Sequence, residues 1–548
     1  MPKIDVSCSV NAFVGQKGRK LLIPVPIFVF FASGFPAGAS CRVRVSLLSS
    51  SPLGVLGVQA IPGTLNDVGA NSVESPSFDP NGVIPSMTAF PSFFDSSNLT
   101  ASSSYSATYR IVVIDTATNV QVGSIEFPLS GNATPAQSVD VIFALDHTFT
   151  MGKTDASRAS RLARLKAAFA RGVALLRDDD TLSVATIDNF QSPAGPQLAP
   201  GPATAAQQTA ATNLANGLSV DLRSPITKSI QWGIETARAL SQTATLVILT
   251  DGVNIDSPGY VLTTPTLPTS ALIIGENPAA IPASAATMVS SNGHYAFASA
   301  QTLGEFAIEK LLTQVLVGLG GSTFISDPEG ALRPGESQSF PLHITETDRD
   351  VEVIVFSNDA QALEVRLDLD AQLSQSEKLA PEATRAVTHY ESGQIVRGEG
   401  VLITRPTIPT LPDPKLTSLK VTVSRTRPGL REDAPVRFNL IVAAKTDLAL
   451  DAEVSASGAD LLFSASLTEY GQRWDRPGTS VQVELFKPDG RTQTFGLHES
   501  TPGRFAANLS NLQAGAYTAH FIATGSSLLD QRVFQRECLK TAVVVSSN

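Results

Sequence analysis

The segment Asp140–Gly152 reads DVIFALDHTFTMG: an apolar run ends in a carboxylate, Asp146, and hydroxyls follow at alternate positions, Thr148 and Thr150. A strand buried on both faces of a parallel sheet is a continuous apolar run, and α/β folds build ligand sites at the carboxyl ends of such strands. A second run of this kind, ATLVILTDG over Ala244–Gly252, ends in Asp251. Between the two, Ser224 stands just before a helix expected to start near Pro225. Two carboxylates and three hydroxyls form a set of hard oxygen donors, suited to Mg²⁺, or to Mn²⁺ or Ca²⁺. The protein charge is too small for an all-protein cage. Positions remain for water and for a carboxylate donated by a partner.

The elements around these residues alternate. After strand VDVIFAL comes a helix in which Leu162, Leu165, Phe169, Val173 and Leu176 recur at three- and four-residue steps. Arg158, Arg161, Arg164 and Arg171 interleave with them and read as a solvated basic face. Strand TLSVATI follows, then a Pro/Ala/Gln-rich loop from Pro193 to Gln208, the helix after Pro225, strands LVILT and SALIIG, a helix near Ala279–Ser290, strand YAFA and a last helix near Leu303–Val317. Alternating βα units mean a doubly wound, mostly parallel sheet. On either side the pattern is β. Residues 1–135 hold short β-prone runs separated by Ser/Pro/Gly/Asn stretches. LLIPVPIFVFF has the outline of a secretory leader, but prolines inside it and the alternation of Ile4, Val6, Cys8 and Val10 favour strands. Past Gly320-Gly321, DVEVIVFS and LEVRLDLD alternate, and a last unit holds a Pro-Asp-Gly turn. The expected division is a β-sandwich over 1–135, an α/β unit over 136–318, a β-sandwich over 322–457 and a small immunoglobulin-like sandwich over 458–548.

Together these residues resemble the metal-ion-dependent adhesion site of von Willebrand factor A domains, whose pattern is D-x-S-x-S, then Thr, then Asp in a T-D-G turn. Here DHTFT puts Thr148 and Thr150 at the serine positions, Ser224 at the threonine position and Asp251 in TDG. The swaps keep the hydroxyl donors and change crowding. The resemblance covers roughly residues 137–318. It implies an A-type α/β domain in a multidomain chain, with Asp146, Thr148, Thr150, Ser224 and Asp251 as metal ligands and a protein partner supplying an Asp or Glu. The order of units is also similar to that of bacterial surface proteins and of calcium-activated chloride channel regulators. The metalloprotease motif of those regulators is absent here.

Composition narrows the function. The chain has 548 residues, 43% hydrophobic and 16% charged, enough for several buried cores. A formal net charge of −10 argues against nucleic acid as the main partner. No apolar run reaches the length of a membrane-spanning helix. Cys8, Cys41 and Cys538 have no metal spacing, and a Cys8–Cys41 bridge stays open. The sequence leaves oligomeric state open, and the compartment too, between cell surface or secreted and cytoplasmic. HTFTMGKT, His147–Thr154, differs from the phosphate-loop pattern GxxxxGK[ST] at its first position, where a glycine is needed for close approach to phosphate. The expected function is therefore non-enzymatic, metal-dependent protein binding of the adhesion type. The alternatives are a structural or assembly component whose β-sandwiches form the interfaces, an A-type unit that binds no metal and, weakest, a phosphate-loop ATPase.

Overall fold

The computed structural model describes residues 3–7, 12–16, 21–23, 29–51, 56–58, 66–69, 71–81, 92–94, 104–134, 138–154, 159–188, 197–221, 229–241, 243–251, 268–274, 295–298, 305–345, 347–371, 387–390, 396–398, 400–404, 416–426, 434–469, 472–474, 477–527 and 532–544. Among the described residues the protein is β-rich, 58% strand against 15% helix, so the α/β unit is one part of a mostly antiparallel β protein.

In that unit the strands are β1 (Asp140–Asp146), β2 (Thr181–Ile187), β3 (Leu198–Pro202), β4 (Thr245–Thr250), β5 (Thr269–Ile274) and β6 (Tyr295–Ala298). The helices are α1 (Arg161–Val173), α2 (Ala205–Gly217), α3 (Ser229–Leu240) and α4 (Ala307–Leu319). The sheet order is β3-β2-β1-β4-β5-β6, parallel except for β3, which runs antiparallel to β2 at the edge. The strand order reverses direction at β1, and a ligand crevice forms at such a switch point. β1 is buried from Val141 through Asp146 because helices cover both faces. Val141, Phe143 and Leu145 pack with α1, α2 and α4; Ile142 and Ala144 pack with Ala237 and Leu240 of α3. Phe143 meets Phe169 of α1 edge to face, ring centres 5.0 Å apart.

The first β region centres on a six-stranded sheet in the order Ala12–Gln16, Gln121–Thr134, Ser104–Asp115, Cys41–Ser51, Ser72–Glu74 and Asn66–Gly69. Lys3–Ser7 and Val29–Ser33 form strands, and they pair with each other. Cys41 is buried, and Cys8 lies outside the described residues. After α4, a ten-stranded sheet runs through Asp348–Ser357, Val436–Thr446, Ser322–Ser326, Val533–Val544, Gly515–Ser526 and Ser480–Phe486. Strands from both sides of residue 458 thus share one sheet, joined where Phe324 faces Glu537. The hairpin Leu448–Ser457/Asp460–Glu469 turns through Gly458, whose φ of +62° suits glycine. Among the described residues no helix is long and apolar enough to cross a membrane.

The basic residues of α1 are not a solvated face. The Arg161 side chain is 13% exposed and paired with Asp251, and that of Arg171 is 15% exposed and paired with Glu309 of α4. The helical period identified an arginine row, but the carboxylates opposite it come from distant segments. Arg158 lies outside the described residues. The expected Pro193–Gln208 loop holds β3 and the start of α2 instead.

Candidate metal centre

β1 and β4 are adjacent and parallel, with Leu145 beside Leu249. That register sets Asp146 next to Thr250 and brings Asp251, one residue further, to the same edge. Asp146, Thr148, Thr150 and Asp251 are all buried there. The Thr148 N–H donates to Asp146 Oδ1 at 2.8 Å, a turn that fixes the carboxylate against its own backbone. Thr250 Oγ1 donates to the other oxygen, Asp146 Oδ2. A short 3₁₀ turn, Phe149–Gly152, then folds Thr150 and Met151 inward and leaves Phe149 49% exposed beside the site. Thr148 and Thr150 hydroxyls lie 3.4 Å apart, and Thr150 Oγ1 donates to Asp251 Oδ1 at 3.2 Å. The sequence-derived set therefore converges, apart from Ser224, which lies outside the described residues together with the expected helix start at Pro225 and the loop Asn254–Tyr260.

Two residues of the site were not singled out in the sequence. Thr250 was legible, because strand alternation and parallel register place it beside Asp146. Arg161 was not. It opens α1, and its Nη1 lies 2.8 Å from Asp251 Oδ2. α1 starts where it does because Ser160 caps it, accepting from Ala163 N at 3.1 Å, while Arg161 N donates to Lys153 O at 2.9 Å. Lys153 itself is exposed. His147, between the two motif positions, turns to the side: its ring Nδ1–H donates to Ser219 O at 2.9 Å.

Electrostatics make the site strained without a cation. Burial, and then the neighbouring Asp251, push the Asp146 carboxyl up to about 7. Two carboxylates this close resist ionising together, and Arg161 supplies a single compensating charge. All four described candidate ligands are oxygen donors, with no sulfur or imidazole among them. They fit a hard divalent cation better than a zinc- or copper-type ion.

The fold and the site define a doubly wound α/β domain with an oxygen-donor cluster at its carboxyl edge. Comparison with solved structures returns von Willebrand factor A proteins and a pilus adhesin at low similarity. The von Willebrand factor type A protein from Catenulispora acidiphila is 12% identical, with 67% of each chain covered and a TM-score of 0.25. The pilus adhesin SpaC from Lactobacillus rhamnosus GG is 11% identical, covering 82% of this chain and 59% of that one at a TM-score of 0.26. The ArnB paralog VWA2 from Sulfolobus acidocaldarius is 9% identical, covering 82% of this chain and 74% of that one at a TM-score of 0.21. No protein-family model matches the chain, and no curated protein matches it.

Proposed function

We propose that the α/β unit is an A-type domain that holds a divalent cation, Mg²⁺ foremost, and presents it to an Asp or Glu of a protein partner, so that the chain is an adhesion-type binding protein without catalysis. The observation that carries this reading is the buried pair Asp146–Asp251 at the tips of neighbouring parallel strands, with the Thr150 hydroxyl donating to Asp251 and lying 3.4 Å from that of Thr148. Asp146, Thr148, Thr150 and Asp251 would hold the cation, with Ser224 as the fifth donor. Bound there, the cation supplies positive charge that neutralises the acid pair and a coordination position for the partner. Thr250 and the Thr148 N–H keep the Asp146 carboxylate aimed. Phe149, exposed at the rim, suits an aromatic anchor for a protein surface, because such anchors carry much of the energy of protein interfaces. Calorimetry with Mg²⁺ and Mn²⁺, followed by capture of partners with and without chelator, tests the reading. A heat of binding, with partners lost on chelation, supports it. No heat and no rise in melting temperature at millimolar metal would sink it.

The second reading is an assembly component whose β-sheets form the interfaces. Leu48, Val68 and Val120, exposed in the first β region, favour it. Partners retained in chelator would select this reading.

A further inference from the structure

We infer that Arg161 is a built-in counter-cation of the strand-tip site: it holds Asp251 in place when no metal is bound and weakens the site's grip on a divalent cation. The inference rests on the metal reading above. The two oxygens of Asp251 are shared between two kinds of partner. Oδ1 accepts from Thr150, itself a candidate ligand, and Oδ2 faces the Arg161 guanidinium. A cation joining the hydroxyls at Oδ1 would therefore share one carboxylate with a guanidinium on its other oxygen. Like charges in a site this dry are poorly screened.

The guanidinium is also held in a way that lets it leave. Its Nη1 is paired with Asp251, but Arg161 Nε is buried without a hydrogen-bond partner among the described residues. A buried donor left unpaired is costly, so the metal-free arrangement is not the best one open to this side chain. The backbone of Arg161 is fixed by the Ser160 cap and by the bond to Lys153 O. Exchange is then a swing of the side chain about a fixed helix start, with the guanidinium moving outward as the cation enters. A weak, exchangeable site follows, in which metal level sets occupancy.

The test is Mn²⁺ and Mg²⁺ calorimetry and thermal melting on the full chain, for the native protein, Arg161→Gln and Asp251→Asn. Arg161→Gln should bind Mn²⁺ at least tenfold more tightly, which is about 1.4 kcal/mol. Its metal-free form should melt lower than the native protein, because Asp251 Oδ2 has lost its guanidinium. Tighter metal binding with a weaker metal-free fold is a pair of effects that a purely structural arginine would not give. Should Arg161→Gln not fold, Arg161→Lys carries the test. Its compact, strongly hydrated ammonium should release Asp251 more readily, raising affinity about threefold. Binding that is unchanged or weaker overturns the role of Arg161 while leaving the metal site standing. Metal that binds none of the native and Arg161 proteins overturns the site itself. Metal that binds Asp251→Asn as well as native moves the cation elsewhere.

Discussion

At the residue scale, the buried acid pair costs stability, and a cation bound there would return it. Asp146 is buried and accepts from Thr148 N–H and Thr250 Oγ1, yet its carboxyl is pushed up to about 7 by burial and by Asp251. Asp146→Asn keeps the shape and one acceptor oxygen and removes the charge. At pH 8 and without metal it should stabilise the protein by roughly 1–3 kcal/mol, and the melting shift caused by Mg²⁺ should disappear. A metal-free variant melting below the native protein, or one with its Mg²⁺ shift intact, would refute the role of Asp146. Phe149 separates recognition from metal binding, since it is exposed and its neighbours Thr148 and Thr150 are not. Phe149→Ala should leave Mn²⁺ calorimetry unchanged and weaken partner binding by roughly tenfold. Asp146, Thr148, Thr150 and Asp251 were readable because strand tips and alternate positions are local patterns. Arg161 was not, because its partner is 90 residues away. A row of arginines on a helix looks the same whether water or a buried acid lies opposite.

At the element scale, strands and helices with large apolar residues at regular steps were legible, and small-residue elements were not. β1, β2, β4 and β5 were apparent as apolar runs. α2 was not, since AAQQTAATNLANG buries only Ala211 and Ala215. β3, LAPGP, has two prolines and no alternation. It survives as a strand because it lies at the sheet edge, where a missing N–H is tolerated. The last helix was expected over Leu303–Val317 and runs Ala307–Leu319; helix ends are set by capping contacts that periodicity does not encode. The turn Thr501-Pro502-Gly503-Arg504, which joins two paired strands, is tight. Gly503 has φ +67°, and a Cβ there would lie 2.3 Å from the Trp474 carbonyl oxygen. Gly503→Ala should therefore destabilise the terminal sandwich by roughly 2–4 kcal/mol, read as an earlier denaturant transition with the metal response of the α/β unit unchanged. A neutral substitution would mean that this turn relaxes freely.

At the scale of the whole molecule, the α/β unit is packed onto the β region through α4. That helix is buried at every residue from Ala307 to Thr313, Glu309 and Lys310 included, and a helix buried all round lies between two partners. Its apolar core continues into Phe324, Ile354, Phe356, Ile441 and Leu539 of the β sheets. Its charges are tied on both sides, Glu309 to Arg171 within the unit and Lys310 to Asp327 of the β region at 3.0 Å. Behind Lys310 the ligand atoms of Asp327, His520 and Glu537 lie within 4.8 Å of one another, a spacing that could also suit a metal. Two basic side chains already face those carboxylates. Lys310 is one. The other is His520, whose Nε2 lies 2.9 Å from Glu537 and whose Nδ1 lies 3.8 Å from Glu484. Burial alone would lower its pKa, but the neighbouring carboxylates of Glu484 and Glu537, with that of Asp327, outweigh burial and push it up to about 9. The folded value is raised above the ordinary histidine value of 6.5, so the folded state holds a proton that the unfolded chain releases. This stabilisation is complete below about pH 6.5 and is lost as pH rises through 9. Over that window it amounts to roughly 3 kcal/mol. The Asp146 window, between about 4 and 7, lies almost wholly below it. Denaturant unfolding of the full chain at pH steps from 6.5 to 9.5 should show the β-region transition falling steadily, and His520→Gln should abolish that slope while starting from a lower stability at pH 6.5. A native protein whose β-region transition is flat across this range, or a His520→Gln protein with the same slope, would show that the junction does not rest on a charged His520.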